Sequence, residues 1–272
     1  MPGYKKCQFT KRLVTINLSF VPLGEGKSKK QPPVAVIWHE GIAGRCDEDV
    51  TSAYTKFLSY PKFRDYQNWV IWADNCSGQN KCWTLYTQLV RIVNSPENDI
   101  KKLTIKYLKA GHTFMSADHW HGKIEEQFRK MDKIYDFDDY DVCISEVGET
   151  IKMNCTDFYH FENGLSQSKA SKDTRPLLCN VYVAEFRRGS FSFFFKTHDS
   201  EEFKECLFLK VKSRDNIEKN ISVPSQSEPR GIPSWKLHSI LDNLSSLLPH
   251  NRKPFFINLH TNDNSVDLID ND

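Results

Sequence analysis

The chain has 272 residues and carries 37 lysines and arginines against 35 aspartates and glutamates, a formal net charge of +2. That near-balance excludes binding driven by overall charge, so any nucleic-acid surface has to come from local patches. Apolar and charged fractions of 39% and 26% exclude a disordered chain, and the length suffices for one sizeable core or two smaller ones.

The eight cysteines are scattered and none forms a CxxC pair, a usage that argues for reduced thiols over a disulfide framework. Met1 to Lys6 contains no apolar h-region, and no run approaches membrane-spanning length. A protein of the nucleus or cytosol with no membrane contact is the expectation.

Arg12 to Pro22 reads as a strand with Val14, Ile16, Leu18 and Phe20 on one face. A basic loop from Gly24 to Pro33 follows. Val34 to His39 is a continuous apolar run of the kind buried on both faces. Val50, Ala53, Tyr54, Phe57 and Leu58 recur at helical spacing until Pro61. Trp69 to Ala73 is a strand that breaks at Asp74, and Trp83 to Val93 is a helix ended by Asn94-Ser95-Pro96. Leu103 to Leu108 is the next strand. Lys101, Lys102, Lys106 and Lys109 flank or line it as an expected edge, where lysines either guard against aggregation or form part of a DNA footprint.

The helix from Ala117 to Met131 has Ser116 as its cap and Trp120, Ile124, Phe128 and Met131 as its apolar stripe. At roughly 100° per residue, Asp118, His121 and Glu125 share the opposite side. Past Asp136 to Tyr140 the texture changes. Residues 163–174 read as a Ser/Lys-rich connection, and two strands joined by Arg188-Gly189 as a hairpin with Phe191 to Phe195 in its core. Glu201 to Lys212 reads as a short helix or strand and Ser213 to Pro229 as a polar linker. Pro233 to Leu248 reads as an amphipathic helix with proline in its first turn.

Two strand ends thus carry Asp74 and Asp118, and open α/β sheets place ligands at such ends. A pair of carboxylates there can hold Mg²⁺ or Mn²⁺, which prefer oxygen ligands, and two such metals stabilise both oxygens of a phosphodiester displacement. On spacing alone, the plainer role of capping carboxylates is the more economical one. Asn75, Gln79, Asn80 and Lys81 follow the first strand end and can donate to phosphates or simply close a polar turn.

Four runs add a resemblance: Trp38-His39-Glu40-Gly41-Ile42-Ala43-Gly44-Arg45; Trp72-Ala73-Asp74-Asn75-Cys76-Ser77-Gly78-Gln79-Asn80-Lys81; Gly111-His112-Thr113-Phe114-Met115-Ser116-Ala117-Asp118 with His121; and Arg230-Gly231-Ile232. Together they resemble transposon-derived DDE-type transposase domains with the RNase H-like, retroviral-integrase-like fold. The resemblance implies an α/β fold, a mixed sheet flanked by helices, and metal-dependent cleavage and strand transfer on DNA by three acids. Asp74 matches the second acid and Asp118 the third, with His121 as their active-site neighbour.

The first acid has no counterpart. In that fold it stands on a central strand beside the one bearing the second acid, and here no Asp or Glu precedes Glu25. Glu40 is a poor substitute, since its strand should lie across the sheet from Asp74. The expected organisation is an RNase H-like core over 1–145 lacking its first strand, an appended C-terminal α+β region over 146–262, and an acidic disordered tail over 263–272. The implied partner is DNA, with cleavage weakened or lost and a DNA- or protein-binding module as the alternative. Whether the chain forms a homo-oligomer is open.

Overall fold

The computed structural model describes residues 12–23, 31–75, 79–109, 115–131, 133–161 and 175–271. In chain order these form β1 Thr15–Phe20, β2 Val34–His39, α1 Asp47–Leu58, β3 Asn68–Ala73, α2 Trp83–Asn94, β4 Lys102–Tyr107 and α3 Ser116–Lys130. There follow α4 Phe137–Ser145, β5 Glu149–Lys152, β6 Val183–Arg187, β7 Phe193–Lys196 and β8 Lys204–Cys206. Last come α5 Val211–Glu218, α6 Ser234–Leu244 and α7 Lys253–Ile257. The expected connection at 163–174, residues 24–30 of the basic loop, and residues 76–78 and 111–114 of the matched runs lie outside the described residues.

The fold is α/β, with mixed sheets of three and five strands flanked by helices. The chain divides into two compact units that interleave in sequence: 1–45, 115–156 and 227–272 form the first, and 46–114 with 157–226 the second. None of these boundaries coincides with the expected division at 145.

The first unit holds the sheet β1-β2-β5. β2 is its middle strand, antiparallel to β1 with Ile16 opposite Trp38 and parallel to β5 with Val36 opposite Ile151. Every residue of β2 is buried, as its unbroken apolar run requires. Ala35 and Ile37, which share one face of β2, pack against Trp120 and Ile124 of α3 and Phe137 and Ile144 of α4. The Trp120 indole N–H donates to Val147 O, and a Cβ at Gly148 would lie 2.7 Å from the Trp120 ring, so that position accepts only glycine without rearrangement.

The second unit holds β3-β4-β6-β7-β8. β3 and β4 are parallel and joined through α2, whereas β6, β7 and β8 continue the sheet by antiparallel pairing. Gly189, at φ +83°, turns the β6–β7 hairpin, and its N–H is held by the Asn94 side chain. Tyr86 of α2 packs edge-on against Phe186 and Phe193 at 5.3 and 5.1 Å, which anchors the helix to the sheet. Of the Phe191 to Phe195 run, Phe193 and Phe195 are buried.

Several expectations are corrected. β4 is an interior strand, because β6 pairs on its far side, and among the described residues β3 is the edge. Lys102 stands 3.9 Å from the buried Glu185 carboxylate, and the Lys106 ammonium 5.2 Å from the Trp72 ring, so these lysines serve the sheet face. Ser116 is not the cap of α3. The helix begins at Ser116, and the Asp118 carboxylate reaches back to the Met115 N–H. Residues 211–218, partly assigned to a polar linker, form α5, and 137–145 form α4, capped by the Asp136 carboxylate. The C-terminal acidic stretch is not free: Asp267 and Leu268 are buried, and Asp267 accepts from Lys236.

Candidate functional site

β3 ends where the buried Ala73 gives way to the exposed Asp74, because the apolar run stops there and the following residues are turn formers. The Asn80 side-chain amide donates to Asp74 Oδ1 at 2.6 Å, which ties Asn80 to the strand end. Asn80 is itself held from behind. Tyr54 of α1 donates to its Oδ1 at 3.1 Å, and Tyr107, the last residue of β4, donates to its backbone carbonyl at 2.7 Å. The Tyr107 and Tyr86 hydroxyls are 3.0 Å apart, so three tyrosines form a buried hydroxyl row behind the strand end. Burial raises the pKa of all three phenols, and for Tyr54 the Asp74 carboxylate adds to the rise, so they remain neutral donors.

Lys81 is only 5% exposed. Its ammonium donates to Cys179 O at 3.0 Å and lies 4.4 Å from the Tyr107 ring centroid. Burial lowers its pKa, a cost partly met by the carbonyl and the ring. Of the four residues expected to face phosphates, Gln79 is exposed, Asn75 and Asn80 are half-buried, and Lys81 is committed to the interior. Cys82 caps α2 by accepting from the Leu85 N–H, and burial pushes its thiol up to about 11, which favours the thiol over the thiolate there.

Asp118 and His121 occupy the first turns of α3 in the other unit. Asp118 Oδ2 accepts from the Met115 N–H at 2.6 Å, a capping contact reinforced by the helix dipole. His121 Nε2 lies 2.7 Å from Ser19 Oγ, which also donates to Asn17 Oδ1. β1 therefore fixes the orientation of this imidazole at the helix surface.

Each unit accordingly presents one of the two expected acids: Asp74 with Asn80 in one, Asp118 with His121 in the other. The carboxylate donors suit a hard divalent cation. Among the described residues, however, no group of three or more His, Cys, Asp and Glu side chains is placed to hold a metal ion. Glu40, weighed as a replacement acid, is fully buried and paired with Lys236 at 2.6 Å. That contact, with Val14 N–H donating to the same oxygen, makes Glu40 an interior ion-pair residue.

The tyrosine row was not apparent from sequence. Tyr54 was visible as a member of the α1 stripe and Tyr107 as a residue of a strand, but their hydroxyls converge only through tertiary packing. Among the described residues, no helix is long and apolar enough to cross a membrane. Comparison with known protein families, with curated proteins and with solved structures found no match.

Proposed function

We propose that this chain is a transposase-derived, nucleic-acid-processing domain of the DDE type, acting on DNA in the nucleus, whose phosphodiester cleavage and strand transfer is weakened or lost. The observation that supports this most is the position of Asp74 directly after β3, at the carboxyl end of a strand parallel to β4. Ligands gather at the carboxyl ends of parallel strands, and Asp118 falls in the first turn of the helix that follows β4. Asp74 and Asp118 each offer carboxylate oxygens of the kind Mg²⁺ or Mn²⁺ prefers, and such a cation, when bound, would stabilise the attacking and leaving oxygens of the displacement. Asn80 orients Asp74, Ser19 orients His121, and Asn75 and Gln79 are the strand-end donors left to meet phosphates. Weakened activity would follow from charge, since among the described residues Glu40, the acid weighed as a third ligand, is occupied by Lys236.

Titration of the full chain with Mn²⁺, followed by paramagnetic broadening of amide NMR signals, tests the reading. Broadening should centre on residues next to Asp74 and Asp118 and vanish in Asp74→Ala combined with Asp118→Ala. Absence of broadening at millimolar Mn²⁺ would remove the metal from the proposal. A second reading, a catalytically dead DNA- or protein-binding module, is favoured by the hydrogen bonds both carboxylates already hold, to Asn80 and to Met115. It predicts DNA or protein binding that is indifferent to the cation, with any DNA affinity falling steeply as salt rises.

A further inference from the structure

The second unit contains a cavity of about 550 Å³, bordered by the C-terminal end of α1, the middle of α2 and the segments around Tyr159 and Ser222. That volume falls within the roughly 300–1,000 Å³ of small-molecule sites. Asp74, Asn80 and the tyrosine row take no part in lining it. Three features of its wall point to one kind of occupant.

The first is Gln88 of α2, 5% exposed, whose side-chain Oε1 has no hydrogen-bond partner among the described residues. A buried acceptor left unpaired is unfavourable, and a ligand that supplies a donor removes the penalty. Oε1 is enclosed as the side chain stands, and the soft terminal torsion of a glutamine is what lets the amide rotate towards the cavity when a ligand enters. The second is a pair of cations. Arg91 is half-buried, its guanidinium donates to Ile221 O, and the Glu97 carboxylate on the same wall offsets part of its charge, leaving further N–H donors of its five for an anion. Arg64 stands exposed on the same wall. The third is aromatic: Tyr159 and Phe161 line the cavity with ring centroids 5.8 Å apart, Phe161 being buried.

An acceptor that needs a donor, a flat apolar surface and an anion-binding rim together describe a nucleotide. A simple anion would leave the aromatic wall and the Gln88 acceptor unused, and an apolar ligand would leave the acceptor unpaired. We propose that this cavity binds an adenine nucleotide. The N6 amino group donates to Gln88 Oε1 while N7 accepts from Nε2, the two-point contact a glutamine amide makes with an adenine edge. The base packs on Tyr159, and the phosphate is held by Arg91 and Arg64, whose planar donor forks match phosphate oxygens.

The test is titration of the full chain with adenosine 5′-monophosphate, followed by amide NMR shifts. Purine riboside 5′-monophosphate, which lacks the amino group, and uridine 5′-monophosphate serve as comparators. Saturable binding is expected for the adenine nucleotide, weaker on the order of tenfold for both comparators and for Gln88→Leu. Arg64→Ala, a change at an exposed side chain that leaves the fold intact, should weaken it by a similar factor. Failure of the adenine nucleotide to saturate by millimolar concentration, equal affinity for all three nucleotides, or undiminished binding in Arg64→Ala would each overturn the proposal. The result is independent of the Mn²⁺ titration at Asp74 and Asp118, so either reading can fail alone.

Discussion

The Lys236 ammonium stands 2.6 Å from Glu40 Oε1, and neither side chain has exposed surface. Asp267 Oδ1 is also 2.6 Å from the same ammonium. One helix of the C-terminal part thus ties together the loop after β2 and the C-terminal stretch. Removing one partner of a buried pair leaves the others charged and unpaired, which costs about 3–5 kcal/mol. Lys236→Ala should lose stability of that order in urea denaturation. The triple variant Glu40→Gln, Lys236→Met, Asp267→Asn should recover part of the loss, because it leaves no net charge in the interior. A loss well below ~1 kcal/mol in the single variant would mean the ion pairs are solvated in solution.

The same residues show where sequence reasoning stops. β2 was legible as a buried run, and α1, α2 and α3 were legible as stripes at helical spacing, because each signal is local and strong. Lys236 sits in a helix legible by the same logic, yet a lysine there reads as solvent-facing. Its burial depends on Glu40, 196 residues away in sequence, and on Asp267, 31 away. Acidic composition similarly made the C-terminal stretch look disordered, since composition cannot register a buried lysine waiting for it. α4 was hidden because its first turns carry Asp138, Asp139 and Asp141, and much of what fixes it is the long-range Arg252 contact to Asp136 and Asp139. At the candidate site, Asp74 was legible as the acid that ends an apolar run. The Asn80 contact and the hydroxyls behind it were not, since three separate elements supply them.

Gly231 makes the short Arg230-Gly231-Ile232 run structurally intelligible. Its φ is +75°, its N–H donates to Gly41 O, and a Cβ there would lie 2.8 Å from His260 Nδ1 and 2.9 Å from the Asn262 Cβ. The run is pinned to the Gly41-Ile42 turn, with Arg230 N–H donating to Ile42 O. Gly231→Ala therefore meets both a left-handed backbone and two close atoms, and should cost about 1–3 kcal/mol. Gly189→Ala meets only the backbone term, since nothing lies within 4 Å of its Cβ position, and should cost about 1 kcal/mol. Equal losses in the two variants, by urea denaturation, would sink the steric part of the argument.

His39 should make stability depend on pH. It is 8% exposed, its ring lies 5.1 and 5.6 Å from those of Phe137 and Phe255, and burial lowers its pKa from 6.5 to about 4. The unfolded chain therefore binds the proton more tightly than the folded one, so the imidazole's contribution is complete above pH 6.5. It is lost as pH falls towards 4, amounting to about 3 kcal/mol across that window. Urea midpoints of the wild type should drop over this range more steeply than those of His39→Leu. Parallel curves would show that the imidazole titrates normally in the folded protein.

β3 is an edge strand among the described residues. Among the described residues it pairs with β4 alone, and its outward face carries Val70 at 56% and Trp72 at 37% exposure, the latter beside the Lys106 ammonium of β4, with no charged residue or proline along Asn68–Ala73 itself. Natural edges are usually blunted by charge, proline or a bulge, and an apolar edge with free backbone groups invites another strand. The protein should therefore self-associate as its concentration rises, and Val70→Lys should shift it towards monomer. Because Val70 is largely exposed, that variant should unfold within about 0.5 kcal/mol of the wild type. Sedimentation velocity across a concentration series reads the association directly. A wild-type chain that sediments as a monomer throughout, or a Val70→Lys chain that associates just as strongly, would place the contact away from this strand.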